Sequence, residues 1–287
     1  MSVDDPTASE PAGTRVETCF YHRDRETGRH CTRCGRPACS ECLRQASVGA
    51  HCFQCVRDAA PPRAEARRVR RVLAGHPLWV TKGLIGINVA VFLLAAAVDG
   101  DLAGRGRFAI DYGLFARFIA EDGEWYRIFT SGFLHIGLLH LGLNMVVLWF
   151  LGRMIEPALG SSRFALLYTA GLVGGAFGAM LLEPDALARG ASGAIYGLMG
   201  AAFMGMRARG ADPFANGIGG LLVINLLITF AIPGISIGGH LGGLVAGGIV
   251  GYLLLHPRAE RQPMPAVVVS AALTVAVFLG ALQVAAL

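Results

Sequence analysis

Seven long apolar stretches constrain this chain more than any other feature of its sequence. Each has about 20 residues, the length of helix that crosses the ~30 Å hydrocarbon core of a bilayer. Because a helix satisfies its own backbone hydrogen bonds, it is the form that such a segment takes in lipid. We therefore predict seven transmembrane helices, at roughly residues 80–98, 133–152, 164–182, 191–207, 217–232, 237–255 and 266–286.

The composition of the 287 residues agrees with a membrane protein. Apolar residues make up 54% and charged residues 16%, whereas soluble domains have about 25% charged residues. The ample apolar surface excludes an intrinsically disordered chain. The 39 glycines have no three-residue period, which excludes collagen, and they favour closely packed helices. The predicted fold class is an all-α polytopic membrane bundle.

The net charge of +5 is concentrated in residues 57–82, which hold seven cationic and two acidic side chains. Because this basic patch adjoins the first apolar stretch, we interpret it as a cytoplasmic anchor to anionic headgroups of the lipid bilayer. Nucleic-acid binding is the weaker alternative, and we expect no nucleic-acid partner. Arginines in the loops on the same side, and acidic residues in the opposite loops, predict a cytoplasmic N-terminus and an exterior C-terminus.

A cysteine-rich segment precedes the apolar stretches. All seven cysteines lie between positions 19 and 55, and together with one histidine they form four pairs, each with two intervening residues. Structural zinc takes four tetrahedral ligands, so eight ligands fill two sites with none left over. We predict two structural zinc ions, held by Cys19, His22, Cys31, Cys34, Cys39, Cys42, Cys52 and Cys55.

Two points about this segment stay open. Disulfides are the weaker alternative, because the cysteine count is odd and the absence of a signal-peptide pattern leads us to expect the reducing cytosol. A cross-braced arrangement would join the first pair to the third and the second to the fourth. His30 and His51 adjoin ligand pairs and could each replace a neighbour, although surface histidine is the simpler interpretation.

About 40 residues contain too little core to fold alone, so we expect metal to supply the folding energy of this segment. It resembles a B-box-like zinc-binding module, and this resemblance implies a structural role or a cytosolic protein partner. The predicted domains are a disordered N-terminus (1–17), the zinc module (18–57), a basic linker (58–78), a membrane core (79–256) and a further C-terminal helix (257–287).

Several polar side chains lie inside the apolar stretches, where they are costly unless they are paired or functional. Small residues recur every fourth position from 193 to 205 and from 239 to 251, which predicts that these two helices approach closely. Ser192 and His240 each adjoin one of these series. We therefore predict a Ser192–His240 dyad, in which the imidazole accepts the hydroxyl proton, and we expect Tyr196 to orient His240 by stacking.

The other polar residues fit the stabilisation of a negatively charged oxygen. His140 and Asn144 are four residues apart and share one helical face. Their side chains can donate hydrogen bonds, as can the backbone N–H of Ser192 at a glycine-rich helix start that includes Gly190. Together these groups fill the roles of a hydrolytic site.

These residues lie in stretches that resemble the rhomboid family of intramembrane serine proteases, and the resemblance covers about residues 80–255. Glu124-Trp125-Tyr126-Arg127 is similar to the family's Trp-Arg motif, with Tyr126 intervening, and Gly152 and Glu156 are similar to its turn after the second span. The stretches that carry the resemblance are His135-Ile-Gly-Leu-Leu-His140-Leu-Gly-Leu-Asn144, Gly190-Ala-Ser192-Gly193 with Tyr196, and Gly239-His240-Leu-Gly-Gly.

The resemblance implies a core of six helices with one additional C-terminal helix in a bacterial plasma membrane. It implies cleavage of transmembrane protein substrates near the exterior face, without a catalytic metal or cofactor. Ser192 would be the nucleophile, His240 the general base, and His140, Asn144 and the Ser192 N–H the oxyanion donors. A catalytically inactive relative that binds membrane proteins is one alternative. A proton-coupled transporter is another, although it gives Ser192 no role.

Overall fold

The computed structural model describes residues 17–46, 49–59 and 77–286. The chain divides into two compact units, Met1–Leu73 and Ala74–Leu287. Nearly all of the predicted disordered N-terminus and most of the predicted basic linker lie outside the described residues.

The first unit contains few regular elements. Strands β1 (Leu43–Gln45) and β2 (Ala50–Cys52) form an antiparallel hairpin, and helix α1 (Phe53–Ala59) follows directly. Its buried side chains are Ala38 and six of the seven cysteines. Because so little aliphatic surface is buried, the cysteine clusters described below form the core of this unit.

The second unit is helical throughout. All seven predicted apolar helices are present, so the predicted all-α membrane bundle is confirmed. The helices are α2 (Trp79–Asp99), α3 (Arg107–Tyr112), α4 (Ala116–Asp122), α5 (Arg127–Thr130), α6 (Gly137–Leu159), α7 (Ser161–Leu182), α8 (Ser192–Ala208), α9 (Ile218–Ala231), α10 (Ile237–Leu255), α11 (Pro257–Arg261) and α12 (Pro263–Ala285).

Five of the apolar helices, α2, α6, α7, α10 and α12, are long and apolar enough to cross a bilayer. The other two are shorter, because α8 has 17 residues and α9 has 14. Helix α9 is less buried than α8. Most of its large side chains are exposed or half-buried, and its buried residues are Ile218, Gly219 and Thr229.

The centre of the bundle is a contact between glycines of α8 and α10. A side chain at Gly247 would overlap the backbone of Gly197, and one at Gly243 would overlap the backbone of Gly193. Glycine is required at these positions because the two backbones touch. The two series of small residues therefore face each other, as their spacing predicts.

Helix α7 contributes a third glycine face, which the sequence analysis did not predict. Gly174 and Gly178 lie against Gly242 and Gly238 of α10, and a Cβ at Gly178 would lie 2.9 Å from the Cα of Gly242. Helix α10 therefore packs against two helices at once through different faces. This arrangement fixes the position of its first turn, which carries His240.

Helix α6 extends seven residues beyond the predicted end at residue 152. The expectation that Gly152 and Glu156 lie in a turn after this span is wrong, because both lie inside the helix. The fully buried Glu156 carboxylate accepts hydrogen bonds from the Thr81 backbone N–H (2.9 Å) and hydroxyl (2.6 Å), and from the Ser161 hydroxyl (2.7 Å). It thereby binds the first turn of α2, whose N–H groups lack intrahelical partners.

The segment between α2 and α6 is organised around Arg127. This side chain is buried and donates hydrogen bonds to the carbonyls of Ile110 (2.6 Å) and Gly113 (2.8 Å) and to the carboxylate of Glu124 (2.5 Å). Its guanidinium also lies 4.4 Å from the ring centroid of Phe118. Arg127 therefore ties α3 and α4 to the start of α5.

Candidate active site and metal clusters

Ser192 and His240 are brought together by the glycine contact between their helices. Ser192 is the first residue of α8, and His240 lies in the first turn of α10. The Ser192 Oγ and the His240 Nε2 are 2.8 Å apart. The hydroxyl can therefore donate directly to the imidazole, which is the geometry that activates a serine for nucleophilic attack.

Two further side chains hold the His240 ring. Tyr196 stacks on it, with ring centroids 4.1 Å apart and an interplanar angle of 18°. Thr229 of α9 lies on the other nitrogen, with its Oγ1 at 2.7 Å from Nδ1. The sequence analysis missed Thr229, because no spacing relates this residue of the fifth apolar stretch to His240.

The hydrogen bonds around Thr229 favour the tautomer of His240 that carries its proton on Nδ1. The Thr229 hydroxyl has one hydrogen, which it donates to the carbonyl of Asn225 at 2.9 Å. Its oxygen then accepts from the Tyr196 hydroxyl at 2.5 Å and from His240 Nδ1–H. This assignment satisfies every group and leaves Nε2 unprotonated towards Ser192, as a general base requires.

His140 and Asn144 present donors on one face of α6. The backbone N–H of Ile136 donates to His140 Nδ1 at 3.3 Å, so a neutral His140 carries its proton on Nε2. The Asn144 side chain is buried, and its Nδ2 has no hydrogen-bond partner among the described residues. An unpartnered buried N–H group costs free energy unless a ligand satisfies it.

Gly190 has a conformation and a position that exclude a side chain. Its φ is +132°, a region that favours glycine. A Cβ at this position would lie 2.9 Å from Cε1 of His140 and 3.6 Å from the Oγ of Ser192. Its N–H donates to the carbonyl of Ser131 at 2.9 Å, which fixes the backbone just before α8.

A small cavity opens beside the dyad. It offers about 40 Å³ to the centres of water-sized molecules, which is room for about two or three waters. Its walls include both dyad residues together with Ser131, Arg189, Gly190 and Ser236. The cavity therefore has room for water beside Ser192 and His240.

His135 has no assigned role. Its ring lies 5.1 Å from that of His140, and neither of its buried nitrogens has a hydrogen-bond partner among the described residues. His135 lines a different cavity from the one beside Ser192 and His240, and it lies outside the candidate site.

In the first unit the four ligand pairs form two clusters. Within each cluster the ligand atoms all lie within 4.8 Å of one another. The first pair joins the third, and the second joins the fourth, which is the cross-braced arrangement. His30 and His51 belong to neither cluster. The clusters are Cys19, His22, Cys39 and Cys42, and Cys31, Cys34, Cys52 and Cys55.

The distances within the clusters fit a tetrahedral cation. Zinc–ligand bonds of about 2.0–2.3 Å place neighbouring ligand atoms about 3.6–3.8 Å apart. The Sγ atoms of Cys34 and Cys52 are 3.8 Å apart, and the His22 Nδ1 lies 3.5 Å from the Sγ of Cys39 and 3.3 Å from that of Cys42. The sulfur–sulfur distance of 3.8 Å between Cys34 and Cys52 is too long for a disulfide bond, and all seven cysteines are free.

Backbone groups favour the thiolate form of one cysteine in each cluster, Cys19 and Cys31. Burial raises the pKa of Cys19, but hydrogen bonds from backbone N–H groups, the nearest being that of Cys39, lower it by more, to about 6. In the second cluster, burial raises the pKa of Cys31. Hydrogen bonds from backbone N–H groups, including that of Cys52, lower it by more, so the pKa is also about 6.

Burial raises the pKa of Cys42 to about 12, and a hydrogen bond with Cys34 together with burial raises that of Cys55 to about 12, so those two thiols need the bound cation to ionise. The residues present therefore suit two zinc ions.

Comparison with known proteins agrees with the geometry of the helical unit. Residues 122–257 match the family model described as "Rhomboid domain". The chain is 34% identical over 189 residues to the rhomboid protease GluP of Bacillus subtilis (strain 168), which covers 64% of this chain and 36% of GluP. It is 32% identical over 144 residues to the putative rhomboid protease YdcA of the same strain, covering 49% of this chain and 72% of YdcA.

A plant relative, RHOMBOID-like protein 5 of Arabidopsis thaliana, is 32% identical over 155 residues, which is 51% of this chain and 50% of that protein. The chain therefore spans a third to a half of the length of two of these relatives, and the cysteine-rich unit lies outside the matched domain. The match extends over most of YdcA, and the matched domain at residues 122–257 includes the helices that carry Ser192 and His240. This chain therefore belongs to the rhomboid family.

Proposed function

We propose that this protein is an intramembrane serine endopeptidase that cleaves transmembrane segments of membrane proteins. The observation that carries the proposal is the 2.8 Å contact between Ser192 Oγ and His240 Nε2, with Nδ1 held by Thr229. The relationship to proteins named as rhomboid proteases supports the same reaction class.

In the proposed reaction the Ser192 oxygen attacks a substrate carbonyl carbon, and the hydroxyl proton moves to His240 Nε2. The carbonyl oxygen becomes negatively charged and accepts hydrogen bonds from His140, Asn144 and the Ser192 backbone N–H. Asn144 supports this role because its buried amide nitrogen has no hydrogen-bond partner in the described part of the chain. These donors stabilise charge that exists only during the reaction.

When the peptide bond breaks, His240 gives its proton to the leaving amine and an ester links the substrate to Ser192. A water molecule from the adjacent cavity then attacks this ester, losing a proton to His240. Collapse of the second intermediate returns the proton to Ser192 and releases the acid. The substrate segment must unwind locally, because the peptide bonds of an intact helix are shielded from attack.

Cleavage of a labelled transmembrane substrate by the purified protein tests the proposal. We expect Ser192→Ala to reduce cleavage by about 10³-fold or more. Ser270→Ala is the control, because Ser270 is also a helical serine and its buried hydroxyl has no hydrogen-bond partner among the described residues. A wild-type protein without activity would instead favour an inactive relative or a transporter. Equal activity of Ser192→Ala would disprove the dyad.

We also propose that the two clusters of the first unit bind two structural zinc ions. Elemental analysis of the purified full-length chain should find about two zinc ions per molecule. Cys19→Ser and Cys52→Ser each remove a ligand from a different cluster, so each should lower the content to about one. One zinc in the wild type, or none, would contradict the proposal.

The proposed location is a bacterial plasma membrane, with the N-terminus and the zinc module in the cytoplasm and the C-terminus outside. The charge distribution of the loops supports this orientation. Accessibility of single added cysteines to a membrane-impermeant reagent, in a background lacking the native cysteines of the zinc module, would test it. In intact cells, the reagent should label a cysteine placed at the C-terminus and should not label one placed at the N-terminus.

A further inference from the structure

Arg189 lies in the wall of the catalytic cavity, although the proposed reaction gives it no role. It lies three residues before Ser192, in the segment between α7 and α8, and it lines the cavity together with Ser192 and His240. A permanently charged side chain at this position is costly unless its charge is used.

The guanidinium of Arg189 is only partly satisfied by the protein. One Nη1–H donates to the carbonyl of Gly104 at 2.8 Å. The Nε is buried and has no hydrogen-bond partner among the described residues, and Nη2 makes no hydrogen bond there. The Nε–Nη2 edge, one of the two edges through which arginine binds a carboxylate with two parallel hydrogen bonds, is therefore unoccupied.

No carboxylate in the described part of the chain neutralises this charge. None of the described ion pairs includes Arg189. The neighbouring charge that shifts its pKa is a second cation, Arg105. Burial, and to a lesser extent the positive charge of Arg105, lower the pKa of Arg189. A bound anion would offset both the cost of burying the guanidinium and its repulsion by Arg105.

Two acidic groups on neighbouring segments already accept other hydrogen bonds. The Glu183 carboxylate accepts hydrogen bonds from the Ser236 hydroxyl (2.5 Å) and the Ile237 backbone N–H (2.8 Å). Asp101 accepts from the backbone N–H groups of Ala103 (2.8 Å) and Arg105 (3.2 Å). The cavity wall at Arg189 thus keeps a positive charge that no acidic group in the described ranges pairs.

We infer that Arg189 binds the carboxylate of an aspartate or glutamate side chain of the substrate, close to the bond that is cleaved. This inference rests on the proposed protease function. A purely structural role, holding the segment around Gly104, needs only the Nη1 hydrogen bond and leaves the unpaired Nε unexplained. A carboxylate would satisfy Nε and Nη2 together and remove an uncompensated charge from the cavity.

The experiment uses full-length protein and a set of transmembrane peptides that differ at one position. Glutamate, glutamine or lysine is placed at each of the three positions on either side of the cleaved bond, and kcat/KM is measured for each peptide. The quantity compared is the ratio of kcat/KM for glutamate to that for glutamine, so a change in absolute activity of a variant does not matter.

The wild type should prefer glutamate at one position by about tenfold, the range expected for a charge-assisted hydrogen-bonded pair. Arg189→Gln should reduce this ratio to within about twofold of unity. Arg189→Lys should give an intermediate ratio, because it keeps the charge and loses the paired geometry. Arg189→Glu should reverse the preference towards lysine. Arg107→Gln is the control and should leave the ratio unchanged, since Arg107 is exposed and near Asp111.

A wild type that cleaves the glutamine peptides without preferring glutamate at any position would overturn the inference and leave the protease proposal intact. The same holds if the preference persists in Arg189→Gln. Failure of the wild type to cleave any peptide of the set would contradict the protease proposal itself, and the inference would fall with it.

Discussion

In residues 17–59 the buried core consists mostly of cysteine side chains, whereas in residues 77–286 helices touch through glycine backbones. The first arrangement depends on ligands that a metal can hold at a tetrahedral spacing. The second depends on the absence of side chains, which lets Ser192 and His240 approach. One unit is therefore expected to depend on a bound ion and the other on close packing alone.

The two units also provide separate reporters. All seven cysteines lie between residues 19 and 55, while the three tryptophans are Trp79, Trp125 and Trp149. Thiol reactivity therefore reports on the cysteine-rich unit, and tryptophan fluorescence reports on the helical unit. The predictions below use these reporters, or cleavage itself, and run from the largest expected effect to the smallest.

Removal of metal should separate the two units most sharply. A strong chelator should unfold the cysteine-rich unit, because its folding energy would come from the metal. All seven thiols should then react rapidly, while tryptophan fluorescence and cleavage of a transmembrane substrate stay unchanged. Loss of cleavage on chelation would contradict the independence of the two units.

A methyl group at the glycine contact should damage the helical unit alone. Gly247→Ala places a Cβ against the backbone of Gly197 and should destabilise the bundle by about 3 kcal/mol. The matched control is Gly86→Ala, since Gly86 is also helical and a Cβ there has open space. Thermal unfolding followed by tryptophan fluorescence measures both. Equal stability of the two variants would show that α8 and α10 do not touch as described.

The hydroxyl of Thr229 should affect the reaction more than the fold. Thr229→Val removes the acceptor for His240 Nδ1–H and should lower kcat by about tenfold or more, with KM little changed. Thr229→Ser should restore most of the rate. Thr274→Val is the control, because the Thr274 hydroxyl also donates to a carbonyl four residues earlier but lies in α12. Similar kcat values for Thr229→Val and Thr274→Val would exclude a positioning role.

The smallest expected effect concerns the ion pair between Glu124 and Arg127. Hydrogen bonds from Arg127, and then from Tyr126, lower the pKa of Glu124 below its usual value of 4.5. A depressed pKa in the folded state stabilises the protein at neutral pH, and this contribution is lost as the pH falls through that pKa. Melting temperatures of wild type and Glu124→Gln should therefore differ slightly at pH 7 and converge as the pH falls through the lowered pKa of Glu124. A difference that does not change with pH would contradict this account.

The sequence predicted the features that depend on local spacing. Runs of about 20 apolar residues gave the seven helices, and pairs with two intervening residues gave the ligand sets that the structure gathers into clusters. The facing glycines of α8 and α10 followed from a four-residue repeat. Each of these patterns lies within one segment, so one window of sequence contains it.

The features that the sequence analysis missed all join residues that are distant along the chain or lie on different helices. Glu156 binds the first turn of α2, 75 residues earlier, so the end of α6 could not be placed from its own sequence. Thr229 contacts His240 from another helix. Gly174 and Gly178 of α7 are also four residues apart, but this repeat covers only two positions and does not show that the partner helix is α10. Roles assigned to Ser192, His240, His140 and Asn144 from the resemblance stay predictions.

The central claim is that a proton passes from Ser192 to His240 within the bundle, and covalent labelling measures this most directly. A fluorophosphonate reacts with a serine only when a neighbouring base activates it. Mass spectrometry of the treated full-length protein should find the adduct on Ser192 in the wild type and not in His240→Ala. Unmodified Ser192 in an active preparation, or equal labelling of Ser192 in both proteins, would contradict the claim.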